Sequence, residues 1–341
     1  MPVLSNEIVN VTPVTCTTDM SLEQIRDALA ELPPDLPTYT GGWASANNEE
    51  SNLSLPNAIP PSSEPELLEA DGWLPKRILA RYYYWSPVAQ AVSHVDPDGG
   101  EIRILHALDV LVTEASVGQV SIVVSSRNHS LVRRRDGAIR SLERLFRSQD
   151  DRIRADFSSS AFALEDTDIF LWLAVKVYES PQLDAQIHLD SLSGISGTDA
   201  SRRTADLRMG VDFQRPNFLT AVAEADTLGP IELKFSRHTA EGRSDFQLRL
   251  HVDGGFQISK TGIKFPAFQS TPAMMLRASH ELLFDLIPRI NDLYTRDAAW
   301  PTKRTQVIAG AMTDLSERYQ SLLELLNERL TQSPGSELEE D

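Results

Sequence analysis

Apolar positions along the chain fall into helical, alternating and unpatterned stretches, and the boundaries between them outline the architecture. Leu22, Ile25 and Leu29 recur at helical spacing, and Ser21 with Gln24 has the form of a capping box, so a short helix is predicted over 21–32. Pro33 and Pro34 end it. From there to about Asp71 the chain has no period, is rich in Pro, Ser and Asn, and carries acids such as Glu49, Glu50 and Glu64. Too little apolar surface is present there to offset the entropy of ordering. That predicts a partly disordered N-terminal arm, docking through Trp43, Leu53 and Leu55.

Order returns near Trp73. Residues 76–95 read as a helix kinked near Pro87 and closed by the turn Asp96-Pro97-Asp98-Gly99-Gly100. The stretch 102–112 fits strand and helix equally, while 117–124 is a Val- and Ile-rich strand. Helices are predicted over 130–148 and 165–178. The pattern L-D-A-Q-I-H-L at 183–189 alternates as a half-buried strand does. After a short helix at 217–225, alternating runs follow at 231–237, 246–252 and 256–260. Turns at Ala240-Glu241-Gly242 and Asp253-Gly254-Gly255 join these runs into an antiparallel meander. The remainder, 272–294 and 301–330, is helical, and the sequence shows no internal repeat.

The predicted class is therefore α+β: a mixed central region with an antiparallel β-meander, a C-terminal helical hairpin and a partly disordered N-terminal arm. Residues 1–72 make the acidic arm with one short helix, and 73–160 a mainly helical region. Residues 161–262 make an α+β region with the meander, 263–332 the hairpin, and 333–341 an acidic tail. In the last helix, Ile308, Met312, Leu315, Tyr319, Leu322 and Leu326 step by 4, 3, 4, 3 and 4 residues, a heptad seam. Two partners fit it. One is the same helix of a second subunit, giving a homodimer through 308–326. The other is the stripe Leu276, Leu283, Ile287 and Ile290 on the preceding helix.

Composition narrows the functional classes. The 341 residues are 41% hydrophobic and 24% charged, an ordinary globular balance, and the net charge of −17 argues against a protein that coats nucleic acid over its whole surface. Cys16 is the single cysteine, so neither an intrachain disulfide nor a thiolate metal cluster is available. The N-terminal residues have no basic segment leading into an apolar one, and the most apolar run, 169–178, contains Lys176 and is short for a bilayer. A cytoplasmic protein without membrane association is expected.

The charge is unevenly placed. Nine arginines lie between Arg127 and Arg154 against four acids, a local positive excess inside an acidic chain. Leu131, Ala138, Ile139, Leu142, Leu145 and Phe146 would face the core, leaving Arg133, Arg134, Arg135, Arg140, Arg144 and Arg147 as a polyanion-binding surface. Pairing of these arginines with acids of the same molecule is the competing reading, and the 26 arginines against 6 lysines also reflect what genomic base composition alone produces. The acidic arm and the tail Glu337-Leu338-Glu339-Glu340-Asp341 are candidate intramolecular competitors for this helix.

Candidate chemistry is sparse. Glu232-Leu233-Lys234 has the Glu-x-Lys form of one class of metal-dependent nucleases, with Asp212 or Asp226 as the upstream acid. There, carboxylates would hold Mg²⁺ and the lysine would stabilise developing charge. The helix expected after such a motif is missing, and charged outward positions are ordinary on an amphipathic strand. Histidines at 94, 106, 129, 188, 238, 251 and 280 show no metal-ligand spacing, so no metal site is assigned. Asp96 and Asp98 start a calcium-loop pattern that is not continued, Ser193-Gly194-Ile195-Ser196-Gly197-Thr198 reads as a connection, and Tyr82-Tyr83-Tyr84-Trp85 as core or interface. No P-loop, dinucleotide fingerprint or nucleophile elbow occurs. The leading expectation is a non-enzymatic binding or accessory protein whose Arg-rich helix contacts nucleic acid or an acidic protein. The alternatives are a nuclease centred on Glu232 and Lys234, with Mg²⁺ as its only implied cofactor, and a structural oligomer component.

Overall fold

In the computed structural model, which describes residues 3–36, 38–47, 58–87, 103–147, 154–157, 160–199, 204–208, 225–267 and 269–332, the N-terminal stretch is tied into two sheets at once. β1 (Ile8–Asn10) pairs with β13 (Phe256–Lys264) in one sheet. β2 (Thr12–Thr17) pairs with β7 (Gln119–Val124) and β8 (Ala155–Asp156) in the other. The predicted capping box opens α1 (Leu22–Ala30): the Gln24 amide donates to Ser21 Oγ at 3.3 Å, and the Ser21 amide donates to Gln24 Oε1 at 2.9 Å.

The region expected as an arm holds two more strands, β3 (Gly42–Ser45) and β4 (Glu66–Leu68), which corrects the prediction of one ordered element there. All four residues of β3 are buried, and Trp43 Nε1 donates to Ser141 Oγ at 3.0 Å. One aromatic anchor thus supplies burial that average composition does not show. Glu49, Glu50, Leu53 and Leu55 lie outside the described residues.

The predicted helix from 76 is instead β5 (Arg77–Pro87), and the ambiguous stretch after it is β6 (Arg103–Ser116). Every residue from Arg77 to Trp85 is buried, so the strand is covered on both faces and lacks the alternation that marks a half-exposed one. The proposed turn at 96–100 lies outside the described residues. The first sheet runs β3-β5-β6-β7-β2-β8, with β4 beside β3 on the same edge of β5, and all pairings are antiparallel.

The second sheet runs β1-β13-β12-β11-β9-β10, with β9 (Ile187–Asp199), β10 (Thr204–Arg208), β11 (Ala225–Thr239) and β12 (Gly242–Leu250). The predicted meander is β11-β12-β13. Thr239 pairs with Gly242, so Ala240 and Glu241 form a two-residue hairpin loop. Gly254 in the second turn has φ +76°, and a Cβ there would lie 1.9 Å from the Phe162 carbonyl oxygen. The glycine-rich stretch read as a connection is part of β9. Apart from Ala225, which begins β11, the predicted helix at 217–225 lies outside the described residues.

The helix expected over 130–148 is divided into α2 (His129–Val132) and α3 (Ala138–Arg147). Asp136-Gly137 supplies the turn, which Tyr82 pins by donating its hydroxyl to the Asp136 carbonyl at 2.8 Å. Helix α4 (Asp168–Glu179) is buried from Ile169 to Val175, which explains its all-round apolar sequence. The C-terminal region is α5 (Thr271–Glu281), a π turn (Leu282–Leu286), α6 (Ile287–Thr295) and α7 (Trp300–Gln332). Pro288 has no N–H for the carbonyl four residues earlier, and the π turn sits where that bond is lost.

Both halves therefore run helix, antiparallel strands, helix: α1, β5-β6-β7 and α3, then α4, β9-β11-β12-β13 and α5. No sequence repeat announces this. One face of the first sheet packs Ile78, Tyr82, Val110 and Ile122 on α1 and α3. The other joins Leu79, Leu111 and Val123 to the large core around α4 and the second sheet.

Candidate binding surfaces

The Arg-rich segment is built by α2, the turn after it and α3, and its arginines divide by partner. Arg134 donates to the Trp85 carbonyl at 3.3 Å and lies 4.7 Å from the centroid of Tyr84. Arg133 lies 4.7 Å from the Phe157 ring centroid. Glu143, only 2% exposed at its side chain, is bonded by Arg140 and stands 3.7 Å from Arg147, and it also accepts from the Ala155 amide at 2.5 Å. These two arginines compensate a buried carboxylate that holds the β8 edge. Arg127 bridges the sheets through the Val11 carbonyl at 3.1 Å and Asp253 at 3.1 Å. Arg133, Arg135 and Arg144 are exposed, and Arg144 Nε donates to the Arg140 carbonyl at 3.3 Å. The six predicted residues are thus brought to one region, but internal contacts engage several of them. The acidic tail lies outside the described residues.

Helix α7 is the second surface. Its first turns are anchored: Trp300 is buried, Arg304 pairs with Asp168 at 2.6 Å, and Lys303 pairs with Glu179 at 2.9 Å. Val307, Ile308 and Leu315 pack partly on the core, and Ala311 is buried. Beyond Leu315 none of the described core packs on the helix. Met312, Tyr319, Leu322, Leu323, Leu325 and Leu326 are all 51–59% exposed. The stripe that was to cover the seam is used elsewhere, because Leu283, Ile287 and Ile290 are buried in the α4 core. At 100° per residue the apolar positions from Leu325 to Leu323 span roughly 160°, wider than a two-row coiled-coil seam. Asp314, Glu317, Glu324 and Glu328 lie on the opposite side, and heptad spacing alone could not show whether the apolar side was covered.

Glu232 on β11 stands 3.6 Å from Arg249, Lys234 is exposed, and Asp212 lies outside the described residues, as do the side chains around Asp226. Among the described residues no three His, Cys, Asp or Glu side chains converge as metal ligands, and no helix is long and apolar enough to cross a membrane. Cys16 is buried, and that burial, followed by the charge of Glu143, pushes its thiol up to about 12, an unreactive state. Ser86 Oγ lies 2.6 Å from His106 Nε2, and His106 stacks on Tyr84, a contact of the β5–β6 pair that the sequence did not suggest.

His251 and His280 are held neutral. Burial, then Arg127, lowers His251 to about 4, and burial, then Arg77, lowers His280 to about 4. An unfolded histidine titrates near 6.5, so below that pH the unfolded chain binds more protons. Their contribution to stability is complete above about pH 6.5 and is lost as pH falls toward 4. The expected slope is at most about 1.4 kcal/mol per pH unit for each histidine. Urea midpoints between pH 7.5 and 4.5 should fall, and less steeply in a His251→Asn, His280→Gln variant; identical slopes would exclude this origin.

The chain matches no protein-family model, and no curated protein matches it in sequence.

Proposed function

We propose that the protein is a non-enzymatic binding or accessory protein that assembles with further copies of itself through α7. The observation that carries this reading is the apolar side of α7 beyond Ala311, which holds six of the large hydrophobic side chains exposed among the described residues. Contiguous apolar surface of this kind marks an interaction site. A second copy fits for three reasons. The seam is already half used inside the molecule, where Ile308 and Leu315 pack on the core, and it continues uncovered along the same helix line. The acids of 312–328 lie off the apolar face, so two such faces meet without opposing carboxylates. The available area is also sufficient. At about 100 Å² for each half-exposed side chain, two copies would bury on the order of 1,200 Å², the lower bound of a specific interface.

The width of the face favours contact with more than one helix, so an assembly larger than a dimer is within its reach. Sedimentation of the full chain over a range of concentrations tests the reading. Masses at or above twice 37.9 kDa support it, and a monomer throughout removes it.

The exposed Arg133, Arg135 and Arg144 support a second reading, binding of nucleic acid at α2–α3. It expects salt-sensitive binding of a fluorescent single-stranded oligonucleotide, at least tenfold weaker when all three are changed to Glu, about 1.4 kcal/mol. No binding at low ionic strength would remove it.

A further inference from the structure

The inner face of the first sheet is organised in rows. Leu79, Leu111 and Val123 stand opposite one another on β5, β6 and β7 and join the large core. The next row is Arg77, Thr113 and Ser121, polar at every position and yet 7%, 3% and 1% exposed. Cross-strand neighbours in such a row stand about 5 Å apart at their Cβ atoms.

The Thr113 hydroxyl is satisfied by donating to the Lys76 carbonyl at 3.1 Å. The other two are not. Arg77 donates from one terminal nitrogen to the Pro75 carbonyl at 3.1 Å, while its Nε and the Ser121 hydroxyl have no hydrogen-bond partner. No carboxylate pairs with Arg77 among the described residues. Asp71, which acts on it at longer range, is exposed. His280, in the last turn of α5 and 7% exposed, also has an unpartnered Nε2, and it lies close enough to Arg77 to feel its charge.

A buried guanidinium without an anion and buried donors without acceptors each carry a desolvation cost. Arg77 and Ser121 belong to one row of the sheet, two strands apart, and His280 lies within range of the Arg77 charge. All three can donate to one acceptor: Arg77 only donates, the Ser121 hydroxyl has a hydrogen to give, and His280 Nε2 donates in the tautomer that carries its hydrogen there. What they lack is a compact group with several acceptor oxygens and a negative charge. We propose that Arg77, Ser121 and His280 form a binding site for a small phosphate-class oxyanion, either free or as the phosphoryl group of a small molecule. Arg77 supplies charge and the planar donor fork, while Ser121 and His280 fix orientation. The site is independent of α7 and of the arginines of α3.

The test uses the full chain and inorganic phosphate at constant ionic strength, with chloride as the balancing anion. The thermal midpoint should rise with phosphate in proportion to the logarithm of one plus concentration over Kd. Titration calorimetry should give a single site per chain. Ser121→Ala should weaken binding about tenfold. Arg77→Met should abolish the response while its own melt stays cooperative. If Arg77→Met does not fold, Ser121→Ala and His280→Gln carry the comparison by calorimetry. Glucose 6-phosphate binding as tightly as phosphate would identify a phosphoryl group on a small molecule, and exclusion of the ester would identify the free ion. Absence of a phosphate response, as buried water at these atoms would give, overturns the proposal. So does an equal response in the variants, or a response to acetate alone.

Discussion

On the proposed assembly through α7, replacing Leu322 and Leu326 together by glutamate should give a monomer that melts where the parent melts once diluted below its assembly range. Both side chains are more than half exposed in the single chain, and glutamate is a good helix former, so the fold of one copy loses little. In the proposed assembly the same positions would be apolar contacts, and each copy would bring two carboxylates into a surface stripped of water. The lost burial alone is at least about 3 kcal/mol, two orders of magnitude in the dissociation constant. Asn327→Glu, on the polar side of the same helix, is the control and should leave the mass unchanged. A double variant as large as the parent would show that copies meet elsewhere. A variant that melts below the diluted parent would show instead that these leucines support the body of the molecule.

The seam on α7 is legible from its spacing, whereas the fact that no described element covers it is not. Ile308, Met312, Leu315, Tyr319, Leu322 and Leu326 have the same periodicity whether the partner is a neighbouring helix or another molecule. The meander was readable for a related reason. β12 alternates buried Ser244, Phe246, Leu248 and Leu250 with more open positions, and Gly242 and Gly254 mark its turns. β5 was not readable, because burial of both faces removes alternation, and nine covered residues resemble a core helix as closely as a strand. The division of the Arg-rich helix was announced by Asp136-Gly137. It is outweighed by the longer apolar repeat, in which Leu131, Ala138, Ile139, Leu142, Leu145 and Phe146 keep helical spacing through the break.

The arginines teach a different point. Sequence alone gave Arg140 and Arg147 the same weight as Arg135, but Glu143 turns inward between them, so part of the apparent cationic face compensates a carboxylate of the same helix. Arg77, by contrast, reads in the sequence as one charged residue before an aromatic run. Its meaning depends on register: only the pairing Arg77–Thr113–Ser121 shows that it belongs to a buried polar row. Local spacing predicts which side of an element is apolar, but cross-strand neighbours decide which charges are left without a partner.

Loss of the Asp109 carboxylate should be among the most damaging single changes to the fold. Asp109 on β6 stands opposite Arg81 on β5, and the two side chains are 4% and 2% exposed. Arg81 Nε donates to Asp109 Oδ1 at 2.7 Å, and the Leu4 amide donates to Oδ2 at 3.0 Å. The carboxylate therefore neutralises a buried guanidinium and also fastens the segment that leads into β1 and β2. Asp109→Ala takes the bonded carboxylate away from a buried guanidinium, and the expected destabilisation is about 3–5 kcal/mol, read from the urea midpoint at constant slope. Replacing both partners, Arg81→Met with Asp109→Leu, removes the buried charge and should recover much of that loss, although the Leu4 contact remains broken. A double variant no more stable than Asp109→Ala would place the main role of Asp109 in holding Leu4. A single variant within about 1 kcal/mol of the parent would mean that water reaches the pair, contrary to the burial of both side chains.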